Sequence, residues 1–316
     1  MAKSYRYKPT NCSAYNQSKV KQGNLFIWIS EDIEDWWYDS MPQQGLGRSK
    51  RYSNRCVECC QTLRSLLHFP LRQTQGYFQG LFGFLNIALD VPNYTTIGRR
   101  IVGLGIDFRA SDPQEDLHVT IDSSGLRYHR GNNWHPEKHN KKKKQKGWLK
   151  MHFAVNAKTG EVVANTLSEH DESDSSQVEA LLAQCPYLLE GLYADGAYDR
   201  NKTYQAIFNR QPHWPVQTVI PPIKTSAIPD KPSEQLNQRD RHILMIHEEG
   251  RTKWHYKNHY GRRNKSEIIF AIFKSIFGEK LLSRDRSIQK IEIDIKCKTM
   301  NKFNQFYQDG FVKVRT

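Results

Sequence analysis

Three acidic residues far apart in the chain, Asp122, Asp195 and Glu267, carry side chains that could work together. Asp122 closes the alternating run "LHVTIDSSG", which has the period of a strand. Asp195 follows the short apolar run in "LEGLYADGAYD", where Gly196 relaxes the backbone after it. Carboxylates at the ends of neighbouring strands converge on one edge of an open sheet. Like charges held together raise one another's pKa unless a divalent cation neutralises them. Hard oxygen donors suit Mg2+ or Mn2+, and two such ions about 4 Å apart stabilise both the attacking and the leaving oxygen at phosphorus. The implied chemistry is in-line attack of water or a sugar hydroxyl on a phosphodiester.

Glu267 lies in "YGRRNKSEIIFAIFK" (260–274), which reads as one helix. At 3.6 residues per turn, Tyr260, Arg263, Glu267 and Lys274 fall within an arc of about 60°. Ile268, Ile269, Ile272, Phe273, Ile276 and Phe277 turn broadly the other way, toward a core. Taken singly, each acid has a plainer account. Asp122 could cap a turn with Ser123 and Ser124, and Asp195 could form an Asx turn before Gly196. In "EHDESDSS" (169–176), Asp171 and Asp174 read as helix capping and loop solvation rather than as ligands. The joint pattern decides for chemistry: two strand-end aspartates and a glutamate that shares its face with Arg263 and Lys274.

The chain around them is very basic, with 47 Lys and Arg against 33 Asp and Glu and a net charge of +14. That balance favours a polyanionic partner, nucleic acid or an anionic membrane surface. The longest apolar run, "LFGFLNIAL" (81–89), is far short of the roughly 20 residues needed to span a bilayer. No apolar segment follows the basic "MAKSYRYKPTNCS", so no signal peptide is read and a cytosolic, nucleic-acid-binding protein without a membrane partner is expected. Six cysteines are too few and too scattered for a disulfide framework. Cys56, Cys59 and Cys60 have a zinc-like spacing with no second ligand pair at finger distance. The same spacing is one buried helix face, and core packing is the stronger reading.

The elements that must position the acids follow from periodicity. "SNRCVECCQTLRSLLHF" (53–69) and "LRQTQGYFQGLFGFLNIAL" (71–89) read as helices, "DVPN" as a turn, and "YTTIGRRIVGLG" as a short helix capped by Thr95 or Thr96. Two helices, a turn and a short helix bearing Arg99 and Arg100 resemble a helix-turn-helix, although an ordinary helical bundle would give the same pattern. Beyond residue 117 strands take over. "KMHFAVNAKTGEVVANTLS" (150–168) is a hairpin, and helices alternate with strands as far as "PVQTVIPP" (215–222). The fold class is therefore α/β, a mixed sheet flanked by helices, preceded by an all-α N-terminal region.

The spacing Tyr260-x2-Arg263-x3-Glu267-x6-Lys274 matches, position by position, the signature of the DDE transposases of bacterial insertion sequences. "VTIDSSGL" and "ADGAYD" resemble that family's first and second aspartate blocks. More closely, the chain resembles insertion-sequence family 5, the subgroup typified by insertion sequence 903. "YNQS", "GRSKRYS", "LRQTQGYFQGLFGFLNI", "PNYTTI", "KMHFAV" and "IPP" occur in matching order from about residue 15 to 285, more loosely over 223–250 and weakly beyond Asp285. The resemblance implies a ribonuclease-H-like catalytic domain over 113–285, a helical DNA-binding region over 1–112 and a C-terminal helical tail over 286–316. It implies that Asp122, Asp195 and Glu267 bind two Mg2+ ions, or Mn2+. The activity implied is cleavage of double-stranded DNA at terminal inverted repeats and transfer of the freed 3′-hydroxyl into target DNA, by an assembly of several copies associated with a bacterial nucleoid.

The remaining basic residues then take DNA roles. Arg263 can grip a phosphate bidentately, Lys274 can supply a point charge, and Tyr260 can stack on a base. Lys141, Lys142, Lys143 and Lys144 in "HPEKHNKKKKQKGWLK" (135–150) would displace counterions without reading sequence. Trp134 and Trp148 flank the run and serve as stacking platforms or as core. Thr95, Thr96, Arg99 and Arg100 are candidates for terminal-repeat contacts, with Arg48, Lys50 and Arg51 on phosphates. "LFIWISEDIEDWWYDS" (25–40) offers a dense aromatic face, core or dimer surface. Two rival readings remain: a nuclease on the same fold that does not join ends, and a non-catalytic repressor derived from a transposase.

Overall fold

The computed structural model describes residues 5–40, 51–109, 117–128, 147–185, 187–307 and 311–315. The chain divides into two compact units, 1–110 with 282–316, and 111–281.

The first unit opens with strand β1 (Tyr5–Pro9) and helices α1 (Cys12–Gln22) and α2 (Ile33–Trp37). Helix α3 (Asn54–Leu67) starts where the Ser53 hydroxyl accepts the Cys56 amide at 2.9 Å, satisfying a first-turn donor that the helix itself leaves open. Cys56, Cys59 and Cys60 bury with Trp37, Phe78 and Phe82, so this cysteine face is core. In the aromatic segment Trp36 and Trp37 join that core, whereas Phe26 is exposed. Helix α4 (Leu71–Leu85) stops at Asn86, whose left-handed backbone takes the chain off the helix axis, so it does not run on to Leu89. Residues 86–93 then lead to helix α5 (Tyr94–Arg100), capped by Asn93 rather than Thr95 or Thr96. The tight connection, 68–70, thus joins α3 to α4, and the link from α4 to α5 exceeds the roughly three to four residues of a helix-turn-helix.

In the second unit, strands β2 (Leu117–Arg127), β3 (Trp148–Asn156) and β4 (Val162–Glu169) form an antiparallel meander. Helix α6 (Val178–Gln184), strand β5 (Leu189–Tyr193), helix α7 (Asn201–Arg210) and strand β6 (Gln217–Val219) follow. Strands β5 and β6 lie parallel to β2, giving a mixed sheet in the order β4-β3-β2-β5-β6. Along β2, Leu117, Val119 and Ile121 bury in one core with residues of α6 and α7, and the alternate residues Thr120 and Asp122 face the other side. That side is covered by helix α10 (Asn264–Phe277), reached through helices α8 (Gln238–Glu249) and α9 (Arg251–Lys257). Phe270 of α10 stacks on Phe153 of β3 with ring centroids 4.8 Å apart.

Two local readings are corrected. The stretch 260–274 is not one helix: Tyr260–Arg263 form a 3-10 turn and α10 begins at Asn264. Along α10, Ile269, Phe273 and Phe277 are buried, but Ile268 and Ile272 are exposed, because the helix presents only one stripe to the sheet.

The last helix, α11 (Arg286–Asn304), groups with residues 1–110, so the segment read as a separate tail is part of the first unit. Its Ile295 buries with Val57, Ile101 and Leu104. Strand β7 (Phe311–Arg315) pairs antiparallel with β1. The N-terminal unit is therefore not all-α: its two chain ends close a ribbon whose strands are too far apart in sequence for a hairpin signal. Among the described residues no helix is long and apolar enough to cross a membrane.

Candidate active site

The register of β2 and β5 brings the two aspartates together. The last parallel rung pairs Thr120 with Tyr193, and Asp122 and Asp195 each stand two residues beyond it. Past that rung β2 keeps its partner β3 as far as Arg127, so Asp122 is mid-strand rather than at a strand end. The chain of β5 instead leaves the sheet, and Asp195 caps the 3-10 turn Gly196–Tyr198 by accepting the Ala197 amide at 2.9 Å. The Asx turn weighed from the sequence is thus present, and it leaves the other carboxylate oxygen toward Arg263.

Glu267 is delivered by α10, which is tied to β2 at both ends. At the entrance the Thr120 hydroxyl donates to the Arg263 carbonyl at 3.2 Å, and Ser266 Oγ lies 2.8 Å from the same carbonyl and 3.4 Å from Asp122. Beyond the exit, the Arg127 amide donates to the Glu279 carbonyl at 2.8 Å and the Leu281 amide to the Arg127 carbonyl at 2.9 Å. Gly278, with φ 70°, makes the reversal that lets the chain turn back to the strand.

All three carboxylates meet one guanidinium. Arg263 reaches Glu267 at 2.5 Å, Asp122 at 3.4 Å and Asp195 at 3.9 Å. Exposure rises from Asp122 (13%) through Asp195 (37%) to Glu267 (54%), with Arg263 at 17%, so the cluster has a buried floor and an open rim. Burial pushes the Asp122 carboxyl above the usual aspartate range; the Ser123 amide and Arg263 oppose this, and the charges of Asp195 and Glu267 add to it. Burial works against the charge on Arg263, but Asp122, Tyr260 and Glu267 outweigh it and hold the guanidinium firmly ionised.

The other signature residues divide. Tyr260 borders the cluster, half-buried against Trp254 and His255 with ring centroids 5.4 and 4.7 Å away, and burial raises its phenol pKa. Lys274 stays apart: it pairs with Glu279 at 3.3 Å, two turns along α10 from Glu267. In the first unit, Arg100 donates to the Tyr52 carbonyl at 2.8 Å and to Asn54 at 2.7 Å, so it staples α5 to the start of α3. Thr95 donates to the Asn93 cap, and Arg99 is exposed. Arg51 pairs with Asp90, and Trp148 stacks under the Arg127 guanidinium. Lys141, Lys142, Lys143 and Lys144, with Arg48, Lys50 and Trp134, lie outside the described residues.

Two supports of the site were missed by sequence reasoning. Asp174 is not merely a cap: it accepts Ser123 Oγ at 3.1 Å, next to Asp122 in the strand, and pairs with Lys150 at 3.0 Å. Asp199, within the "ADGAYD" block, is fully buried and binds Arg239 of α8. It also accepts the Ile223 amide at 3.1 Å, which ties the segment after β6 to the loop that carries Asp195. A second acid four residues after Asp195 was the visible signal; its partner, 40 residues further on, had none.

The cluster has the donor chemistry of a divalent cation site, three hard carboxylates around one cationic group. As placed they enclose the guanidinium, and among the described residues no three His, Cys, Asp or Glu side chains are spaced to hold a metal ion.

Comparison with known proteins adds the family. A family model described as "Transposase DDE domain" matches residues 113–301, and a second with the same description matches 20–130. Among solved structures, a Mos1 transposase paired-end complex with the left transposon end aligns over 92% of this chain and 86% of that one, at 10% identity and a TM-score of 0.23, too low to bear on the fold. The first match spans more than half of the chain and contains Asp122, Asp195 and Glu267, and on that ground the chain belongs to the DDE transposase family.

Proposed function

We propose that the protein cleaves double-stranded DNA at the terminal inverted repeats of an insertion element and joins the freed 3′-hydroxyl to target DNA by in-line transesterification. The observation that carries this reading is the convergence of Asp122, Asp195 and Glu267, from three distant segments, on the single guanidinium of Arg263. Their donor chemistry fits Mg2+ or Mn2+, and these three residues would hold the ions. When bound, such ions supply Lewis-acid stabilisation of the attacking and leaving oxygens.

The chain's own residues do the rest. Asp122, on the buried floor, and Asp195, on its 3-10 turn, fix two donors whose separation the sheet register sets. Glu267 on the rim completes the set from a helix held at both ends. Arg263 and, further along α10, Lys274 offer positive charge for DNA phosphates, and Tyr260 a ring at the edge of the cluster.

The mixed sheet in the order β4-β3-β2-β5-β6 supports a ribonuclease-H-like catalytic unit. For the first unit we read DNA binding through α5, with Thr95, Thr96 and Arg99 toward bases and Arg100 positioning the helix. Lys141, Lys142, Lys143 and Lys144 act as phosphate contacts. Pairing of two DNA ends requires an assembly of more than one copy, working on the bacterial nucleoid. Membership of insertion-sequence family 5 rests on the ordered sequence blocks.

The test is a plasmid assay with purified protein, Mg2+ and DNA ending in the element's terminal repeats. Joined products are expected. Nicked ends without joining would establish the nuclease reading, and repeat binding without nicking would establish the repressor.

A further inference from the structure

Arg263 is held by the same three carboxylates that the proposed chemistry needs for metal, and its own geometry is that of a resident counterion. Its side chain is mostly buried, its Nε has no hydrogen-bond partner, and its two terminal nitrogens face Glu267, Asp122 and Asp195. Among the described residues no other cation comes within 4.0 Å of any of the three acids. Three carboxylates against one monovalent, delocalised charge leave the cluster negative, so it still attracts cations of higher charge density. A guanidinium and a divalent ion repel each other, and Arg263 already engages one oxygen of each acid, so each weakens the other's hold there. A DNA phosphate offers Arg263 an alternative bidentate partner.

We infer that Arg263 is a positioning residue that occupies the carboxylate cluster until a DNA phosphate draws it away, so that DNA binding and divalent-ion binding strengthen each other. This rests on the reading of Asp122, Asp195 and Glu267 as the metal-holding set. The resident guanidinium keeps three mutually repelling acids gathered in the absence of metal, and it lowers their affinity for free ions. Thermodynamic reciprocity then requires that whatever factor DNA adds to ion affinity, the ion adds to DNA affinity.

The experiment measures Mn2+ binding to the full chain by electron paramagnetic resonance, with and without a short mixed-sequence DNA duplex, since phosphate contacts do not depend on sequence. Wild type, Arg263→Gln and Asp122→Asn are compared, with circular dichroism as a check of folding. Without DNA, Arg263→Gln should bind Mn2+ about tenfold more tightly than wild type, the size of an ordinary coupling between two sites. DNA should tighten the wild type by a similar factor and leave Arg263→Gln unchanged. Arg263→Lys, which keeps the charge but loses the fork, serves if the Gln variant does not fold, and should bind Mn2+ more tightly than wild type. Equal or weaker Mn2+ binding by the Arg263 variants, with Asp122→Asn impaired, would overturn the counterion role alone. Unchanged Mn2+ binding by Asp122→Asn would overturn the metal reading itself, and the inference with it.

Discussion

Asp199 and Arg239 are joined by two parallel hydrogen bonds, 2.6 Å from Nε and 2.8 Å from Nη2, between the loop that carries Asp195 and helix α8. The carboxylate is fully buried, and it also accepts the Ile223 amide and the Tyr204 hydroxyl. Removing the carboxylate leaves the Ile223 amide without its acceptor and the partly exposed Arg239 guanidinium with Ser226 as its remaining partner. Asp199→Ala should therefore lower the unfolding free energy by about 2 kcal/mol, read from urea denaturation. A loss below about 0.5 kcal/mol would mean that solvent reaches the pair and that it does not anchor the loop.

His152 gives the chain an acid sensitivity of its own, beside that of the three clustered acids. The ring is buried on β3, Nε2 lies 2.7 Å from Ser168 Oγ, and Nδ1 has no partner. Burial brings its pKa down to about 4, below the ordinary 6.5. Between those values the unfolded chain binds a proton that the folded chain refuses, so stability falls as pH drops through the window. The loss should total about 3 kcal/mol by pH 4 and then level off for this group. Comparing the pH dependence of unfolding in wild type and His152→Asn checks this; identical slopes would show that His152 takes up no proton on unfolding.

Replacing Lys141, Lys142, Lys143 and Lys144 with alanine should weaken DNA binding to the same degree for every sequence. It should also flatten the slope of log affinity against log salt by up to about 3.6, since each lost phosphate contact removes about 0.9. Fluorescence anisotropy with unrelated duplexes at several salt concentrations reads both effects. A change in sequence preference would mean instead that the lysines reach base edges.

Thr120 tests how the glutamate is delivered. Thr120→Val keeps the shape but removes the hydroxyl that bonds the Arg263 carbonyl and Ser266 at the entrance of α10. Loss of this partly buried contact should cost about 1 kcal/mol of stability. The larger effect should be on cleavage rate, because Glu267 rides on that turn. Loss of stability at full cleavage rate would show that the exit contacts at Glu279 and Leu281 suffice.

Much of the site was legible because it rests on local signals. Strand alternation marked the run to Asp122, a short apolar strand marked Asp195, and the Tyr260-to-Lys274 spacing singled out Glu267 and Arg263. What was not legible depends on distant partners. The extension of β2 past Asp122 comes from pairing with β3, and α10 loses a turn to a 3-10 segment where Thr120 and Ser266 gather around the Arg263 carbonyl. The ribbon of β1 with β7 joins opposite ends of the chain. Lys274 lies on the expected helix face, but helical phase says nothing of distance along the axis, and a local acid, Glu279, takes it. Arg100 looked free for DNA because its acceptors, Tyr52 and Asn54, lie more than 40 residues earlier.

The central claim is that the acids gathered by the β2–β5 register and by α10 perform the DNA chemistry. Glu267→Gln tests it most directly, since the rim position and the amide's similar shape leave the fold undisturbed. With Mg2+ present, nicking at the terminal repeats should disappear while the same DNA, measured by gel shift, is still bound. Nicking at the wild-type rate would remove Glu267 from the site and contradict the account.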